Sequence, residues 1–203
     1  MGLKAYNTML FQLKIGMIAV VPIQWLRFAI ILFVSMYPLS QSDASEDLVE
    51  EYQIKAVYLF NFALFFTWPD SAFKYRQPFR VCVLGKDQFG IDLDLVIENE
   101  IIEGRRVAVH RLRSVYRSGR CQMLFVSQSE KSRLASIFGY IRRYPILTVS
   151  DIKGFVRRGG MIQFFNTPYN EVRFMIAPEA VNKAGLVASA NLLEIAEIYY
   201  RRR

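Results

Sequence analysis

Residues 150–176 read SDIKGFVRRGGMIQFFNTPYNEVRFMI. Asp151 to Arg158 has the composition of a polar, partly helical turn. Gly159-Gly160 then offers a place where the backbone takes positive φ without steric cost. Two β-prone runs follow, Met161–Phe165 and Glu171–Ile176, separated by Asn166-Thr-Pro-Tyr-Asn170. Pro pre-sets φ and Asn tolerates the left-handed region, so the separator is a turn. In the second run Val172, Phe174 and Ile176 alternate with Glu171, Arg173 and Met175, the period of a half-buried strand. The stretch predicts an antiparallel hairpin.

Upstream, Arg80–Gly85, Val107–Leu112, Gln122–Ser127 and Ile146–Val149 are short apolar runs of strand type. Helical patterns lie between and after them. Asp87 is the expected cap of one carrying Phe89, Leu93 and Val96-Ile97. Ser129 is the expected cap of another, running to about Arg143 with Leu134, Ile137, Phe138 and Ile141 on its apolar side. Pro178 starts a short helix that Gly185 breaks, and Ser189 begins a last one carrying Leu192, Leu193, Ile195, Ala196 and Ile198. Strands alternating with helices predict an α/β fold: a largely parallel central sheet with helices on both faces, plus the antiparallel hairpin near one edge.

The longest helix is expected over Leu48–Trp68, stopped at Trp68-Pro69 and opened by Ser45 as cap. Val49, Tyr52, Ala56, Leu59, Ala63 and Phe66 form one stripe, and Val57, Phe60, Leu64 and Phe65 widen it. So wide an apolar arc predicts burial on more than one side, as core.

At 203 residues, one domain is the expectation. Net charge is +8, and the part after Ala44 keeps about +6 once Lys4, Lys14, Arg27 and Asp43 are removed. Such a balance suits anionic lipid, nucleic acid or an acidic protein face, and is also ordinary on a solvated globular protein. Phe28–Tyr37 is an apolar run of about ten residues, preceded by Arg27 and ended by Pro38, with Ser42-Asp43-Ala44 where signal peptidase needs small residues. The expectation is a cleaved signal peptide over 1–44 and a single domain over 45–203. The basic lead is long, so Met17 is an alternative start to Met1. Pro22, Gln24 and Arg27 weaken the competing picture of an uncleaved spanning anchor.

In an exported chain, the even count made by Cys82 and Cys121 suggests a disulfide, with two buried free thiols as the alternative. Enzyme chemistry has little to stand on. His110 is the only histidine, and it sits between Val109 and Arg111 as a structural residue would. One His and two Cys do not make a metal site. Gly159-Gly160 lacks both the third glycine of a dinucleotide fingerprint and the Lys-Ser/Thr of a P-loop. No catalytic residue, metal or cofactor is expected. Arg105, Arg106, Arg111, Arg113, Arg117 and Arg120, with Tyr116, have a nucleic-acid composition; a solvated face is the expected account, and no nucleic-acid partner.

Ser150-Asp151, Gly154-Phe155, Gly159-Gly160-Met161-Ile162 and Asn170-x-Val172-Arg173-Phe174 resemble the signature of the YfiR family of periplasmic proteins. Lys55-Ala56, Leu59, Phe62, Phe65 and Trp68-Pro69 are similar to the same family's leading helix, and the resemblance runs from Tyr52 to Ala196. It implies a periplasmic regulator that performs no chemistry and forms a homodimer. The family's best-known member binds the periplasmic part of an inner-membrane diguanylate cyclase and represses it, and an outer-membrane lipoprotein sequesters that member. Cys82 and Cys121 fall where the family has a disulfide, whereas its second cysteine pair, flanking the glycine turn, is absent here. Arg157, Arg158, Gly159, Gly160 and Arg173 lie in the family-like motif and are the expected partner contacts; Arg157-Arg158 would equally serve to cap the sheet edge. The alternative is a periplasmic small-molecule-binding module feeding an outer-membrane receptor or sensor kinase, with its ligand in a cleft at the strand ends.

Overall fold

The computed structural model describes residues 43–73 and 77–200, with side chains from Asp47 onward. The expected signal peptide lies almost wholly outside the described residues, as do Met17 and Arg201–Arg203. Helix α1 spans Asp43–Phe65, so Ser45 sits inside its first turn instead of capping it.

Four apolar runs become the strands β2 (Phe79–Leu84), β4 (Arg105–Leu112), β5 (Met123–Val126) and β6 (Leu147–Ser150). The hairpin forms from β7 (Ile162–Asn166) and β8 (Val172–Ile176), joined antiparallel with Phe164 opposite Phe174. Its turn places Asn170 at φ +60°, and Thr167 Oγ1 accepts from the Glu171 and Tyr169 N–H groups. Short pieces complete the chain: β1 (Phe66–Thr67), α2 (Asp92–Ile97), β3 (Ile101–Ile102), α3 (Leu134–Ile141), α4 (Pro178–Lys183), β9 (Val187–Ala188), α5 (Ala190–Ile195) and β10 (Glu197–Ile198).

The main sheet has the order β10-β8-β7-β6-β5-β2-β4-β3. From β4 through β2, β5 and β6 to β7 every pairing is parallel. β3 pairs antiparallel on one edge, and β10 pairs parallel outside the hairpin on the other. β1 and β9 form a separate antiparallel pair. This is the expected α/β class, with β10 added beyond the hairpin.

Burial explains the near-continuous apolar strands: β5 and β6 are buried at every residue, as strands covered on both faces must be. The pleat divides them. Val81, Val83, Met123, Phe125, Leu147 and Val149 pack in one cluster with α1 and α2. Cys82, Leu84, Leu124 and Val126 pack in a second cluster with Leu134, Ile137 and Ile141 of α3. Helices therefore cover both faces.

Several local expectations are corrected. α1 ends at Phe65, three residues before Trp68, because Phe66-Thr67 leave the helix to pair with Val187-Ala188. Ser129 does not cap α3: residues Gln128–Arg133 form a 3-10 turn, and Ser129 Oγ instead accepts from the Lys86 N–H at 2.9 Å. Asp87 Oδ1 accepts from the Phe89 N–H at 2.9 Å, making a turn before α2 instead of its cap. Ser189 does cap α5, accepting from the Leu192 N–H, but the helix stops at Ile195 and Ile198 turns into β10.

The largest correction concerns α1. Tyr52, Ala56, Leu59, Ala63 and Phe66 are buried as expected, and so is Phe62, which is stacked on Phe164 and edge-on to Phe174. Val49, Val57, Leu64 and Phe65 are not; each is between 37% and 55% exposed. One sheet face covers only one side of a helix, and the described chain supplies nothing for the other.

Cys82 and Cys121 form a disulfide, tying β2 to the residue pair that leads into its neighbour β5 across a separation of 39 residues. A loop of that length corresponds to about 4 kcal/mol in the chain-entropy model. The double variant Cys82→Ser/Cys121→Ser should therefore lose up to about 4 kcal/mol of unfolding free energy, read by urea titration.

Candidate functional site

Lys55 is the anomaly on the buried side of α1: a lysine only 2% exposed. Its Nζ lies 2.8 Å from Asp151 Oδ2, contacts Glu51 one turn back, and sits 4.2 Å from the centre of the Tyr52 ring. A buried ammonium is tolerable only when paired and hydrogen-bonded, and this one is. The Tyr52 hydroxyl lies 2.5 Å from both Asp151 Oδ2 and the Gln88 side-chain amide. Burial first, and then the Asp151 charge, push the Tyr52 hydroxyl far above its usual pKa, so it remains a proton donor. Gln128 Nε2 donates to the Asp151 carbonyl at 2.9 Å.

This cluster gathers the carboxyl ends of β2, β5 and β6 beneath α1, where open parallel sheets commonly bind ligands. Here the protein's own side chains fill that place. Cavities of about 220, 540 and 510 Å³ lie elsewhere. Sequence reading missed the cluster, although Lys55 falls between Tyr52 and Leu59 on the buried stripe.

The glycine turn is built as a tight return. Gly159 takes φ +112°, as expected of a glycine there. Gly160 does not; it is required because a Cβ would stand 2.1 Å from the Phe155 ring. Phe155 is fully buried and its carbonyl accepts from the Gly160 N–H at 3.0 Å. Arg157, Arg158 and Gly159 are exposed, whereas Gly160 is buried. Arg173 is also exposed but stands opposite Phe165, near the hairpin turn, while Arg157 and Arg158 precede the hairpin's base. Of the five expected contact residues, Arg173 thus lies on the hairpin and the other four in the turn that leads into it.

The uncovered side of α1 is continuous. Glu50, Ile54, Val57, Asn61 and Leu64 recur at alternating spacings of four and three, with Phe65 beside them. That is the spacing of a seam made to meet another helix. On the other face of the sheet, the 540 Å³ cavity is lined by Arg80, His110, Arg117, Arg120 and the disulfide. His110 is half-buried; burial first, and then the Arg80 charge, hold its pKa below the usual histidine value. Arg111 also borders this cavity, but its guanidinium is tied to Asp87 at 2.7 Å and to Asp94. Arg105 donates to the Gln77 carbonyl and stacks on Phe73.

Both cysteines are in the bridge, and among the described residues no group of three or more His, Cys, Asp or Glu is placed to hold a metal ion. No helix among them is long and apolar enough to cross a membrane. Fold and surface together define a disulfide-tied α/β domain with an outward apolar helix face. The chain belongs to the YfiR/HmsC-like family, whose model matches residues 52–197. That family is one of periplasmic regulators, regulatory rather than catalytic. A search of curated proteins finds no match. Among solved structures, a conserved domain protein from Vibrio cholerae O1 biovar El Tor str. N16961 is similar in fold, with TM-score 0.50 and 8% identity. The match covers 72% of this chain and spans 59% of that structure's length.

Removing Asp151 leaves the buried Lys55 ammonium only the part-exposed Glu51 as counter-ion. Asp151→Ala should cost about 3–5 kcal/mol in urea unfolding, and Lys55→Met combined with Asp151→Leu should recover most of it.

Proposed function

We propose that this protein is exported to the periplasm by its amino-terminal signal peptide and there represses a membrane-bound diguanylate cyclase, or a similar signalling protein, by docking on its periplasmic part. The observation that carries this reading is the apolar seam on the outer face of α1. Val57 and Leu64 stand about half exposed on a helix whose opposite side is core. Contiguous apolar surface of this kind marks interaction sites, and an amphipathic helix face is a recurring docking element. Membership of a regulatory family supports the same reading. An outer-membrane lipoprotein that competes for the seam would relieve the repression.

A homodimer is the second reading, and Asn61 favours it: a polar residue at a core seam position fixes register and pair number between like helices. Sedimentation of the purified protein separates the two. A dimer that Leu64→Asp dissociates assigns the seam to self-association, and a monomer leaves it to the partner.

Deleting the gene should raise cellular cyclic-di-GMP, and unchanged levels would overturn the cyclase reading. Restoring it as Val57→Asp/Leu64→Asp should fail to lower cyclic-di-GMP. The melting temperature should stay within about 3 °C, because both side chains already stand in water. Arg157→Glu/Arg158→Glu should weaken partner capture from membranes with equally little effect on melting; loss of fold would make these arginines structural.

A further inference from the structure

We propose that the cavity floored by the Cys82–Cys121 bridge binds a small, multiply charged oxyanion of the phosphate class, held by Arg80, His110, Arg117 and Arg120. The cavity measures about 540 Å³, and none of the residues that line it is acidic. Two of its polar atoms, Arg80 Nε and His110 Nε2, are buried without a hydrogen-bond partner among the described residues. A buried polar group left without a partner is destabilising, more so when it is charged, and native proteins seldom carry two side by side without a reason. An oxyanion satisfies both atoms and offsets the charge gathered there.

The lining is assembled by topology. The β2–β4 register sets Cys82 opposite His110, which brings Arg80 and His110 to the same face of adjacent strands. The turn Val115–Arg120 follows β4 and carries Arg117 and Arg120 over that face, and the bridge at Cys121 fixes its end. A solvated basic face accounts for Arg117 and Arg120, which are exposed, but not for the two buried orphan atoms. A nucleic-acid track requires a run of free cations. Arg111 is held by Asp87 and Asp94, and Arg105 turns to Gln77 and Phe73, so the arginines that the sequence groups together make a pocket and not a track.

His110 is the only histidine, so its ring signals report on the cavity without ambiguity. The charged and titratable groups that line the cavity with it are Arg80 from β2, Arg111 from β4, Tyr116, Arg117 and Arg120 from the turn, Tyr140 from α3 and Tyr144 just beyond that helix. Histidine is the side chain whose ordinary pKa lies nearest neutrality. Titrating pyrophosphate into the full purified protein should move the His110 signals to saturation and raise its pKa, because the anion offsets the Arg80 charge. Arg80→Gln/Arg120→Gln should weaken binding by about tenfold or more, and Arg157→Gln/Arg158→Gln should leave it unchanged. Should the double variant fail to fold, Arg120→Gln alone, at an exposed position, should weaken binding a few-fold. Shifts that never saturate, or equal weakening by the distant pair, would overturn the site.

Discussion

Lys55 carries its ammonium into the interior, and the Asp151 carboxylate 2.8 Å away makes that position tenable. Taking an ion out of water costs several kcal/mol, so the pair holds only if its geometry holds. Asp151 is the first residue beyond β6, and it also receives the Tyr52 hydroxyl and the Gln128 amide. The Asp151 carboxylate thus holds α1 through Lys55 and Tyr52, while its backbone carbonyl holds Gln128 beyond β5. A turn of α1 by a single residue would swing Lys55 off Asp151 and bring a differently shaped side onto Phe164 and Phe174. Hydrophobic packing alone would not choose so sharply, because the second half of α1, from Ala56 to Phe65, is apolar or aromatic at every position but Asn61. The ion pair selects which side faces out.

That selection gives the outward seam its character. With Tyr52, Lys55, Leu59 and Phe62 fixed inward, Ile54, Val57 and Leu64 have nowhere to go but the surface. The helix is longer than the core requires and more apolar than a surface requires. Both excesses are accounted for when a second macromolecule completes the burial, as in any interface whose centre resembles half of a protein core.

The sheet was legible in the sequence because its strands are buried on both faces, and such strands announce themselves as short unbroken apolar runs. The hairpin was legible for the opposite reason, the clean alternation from Val172 to Ile176. What periodicity cannot supply is the identity of what covers a residue, so Val57 and Leu64 read as core when they are surface. The burial of Lys55 was not legible, since its partner Asp151 lies 96 positions away. Gly160 read as a conformational glycine, whereas its constraint is the Phe155 ring filling the space of a side chain. The cationic cavity was the least legible. Arg80 and His110 are neighbours only once β2 and β4 pair in register, and no local signal carries that.

The seam and the cavity lie on opposite faces of the sheet and share one strand. Val81 and Val83 of β2 pack in the cluster under α1, while Arg80 and Cys82 line the cavity behind it. A ligand in the cavity therefore does not compete for the surface a partner would cover. Influence between the two must pass through β2, whose position the bridge at Cys82 restrains, because close-packed interiors transmit displacement instead of absorbing it. The disulfide thus has two consequences beyond chain entropy: it fixes the spacing of the arginine-bearing segments, and it stiffens the strand that backs both surfaces. Any coupling would be read as a change in partner affinity with anion concentration, and that change would be reciprocal.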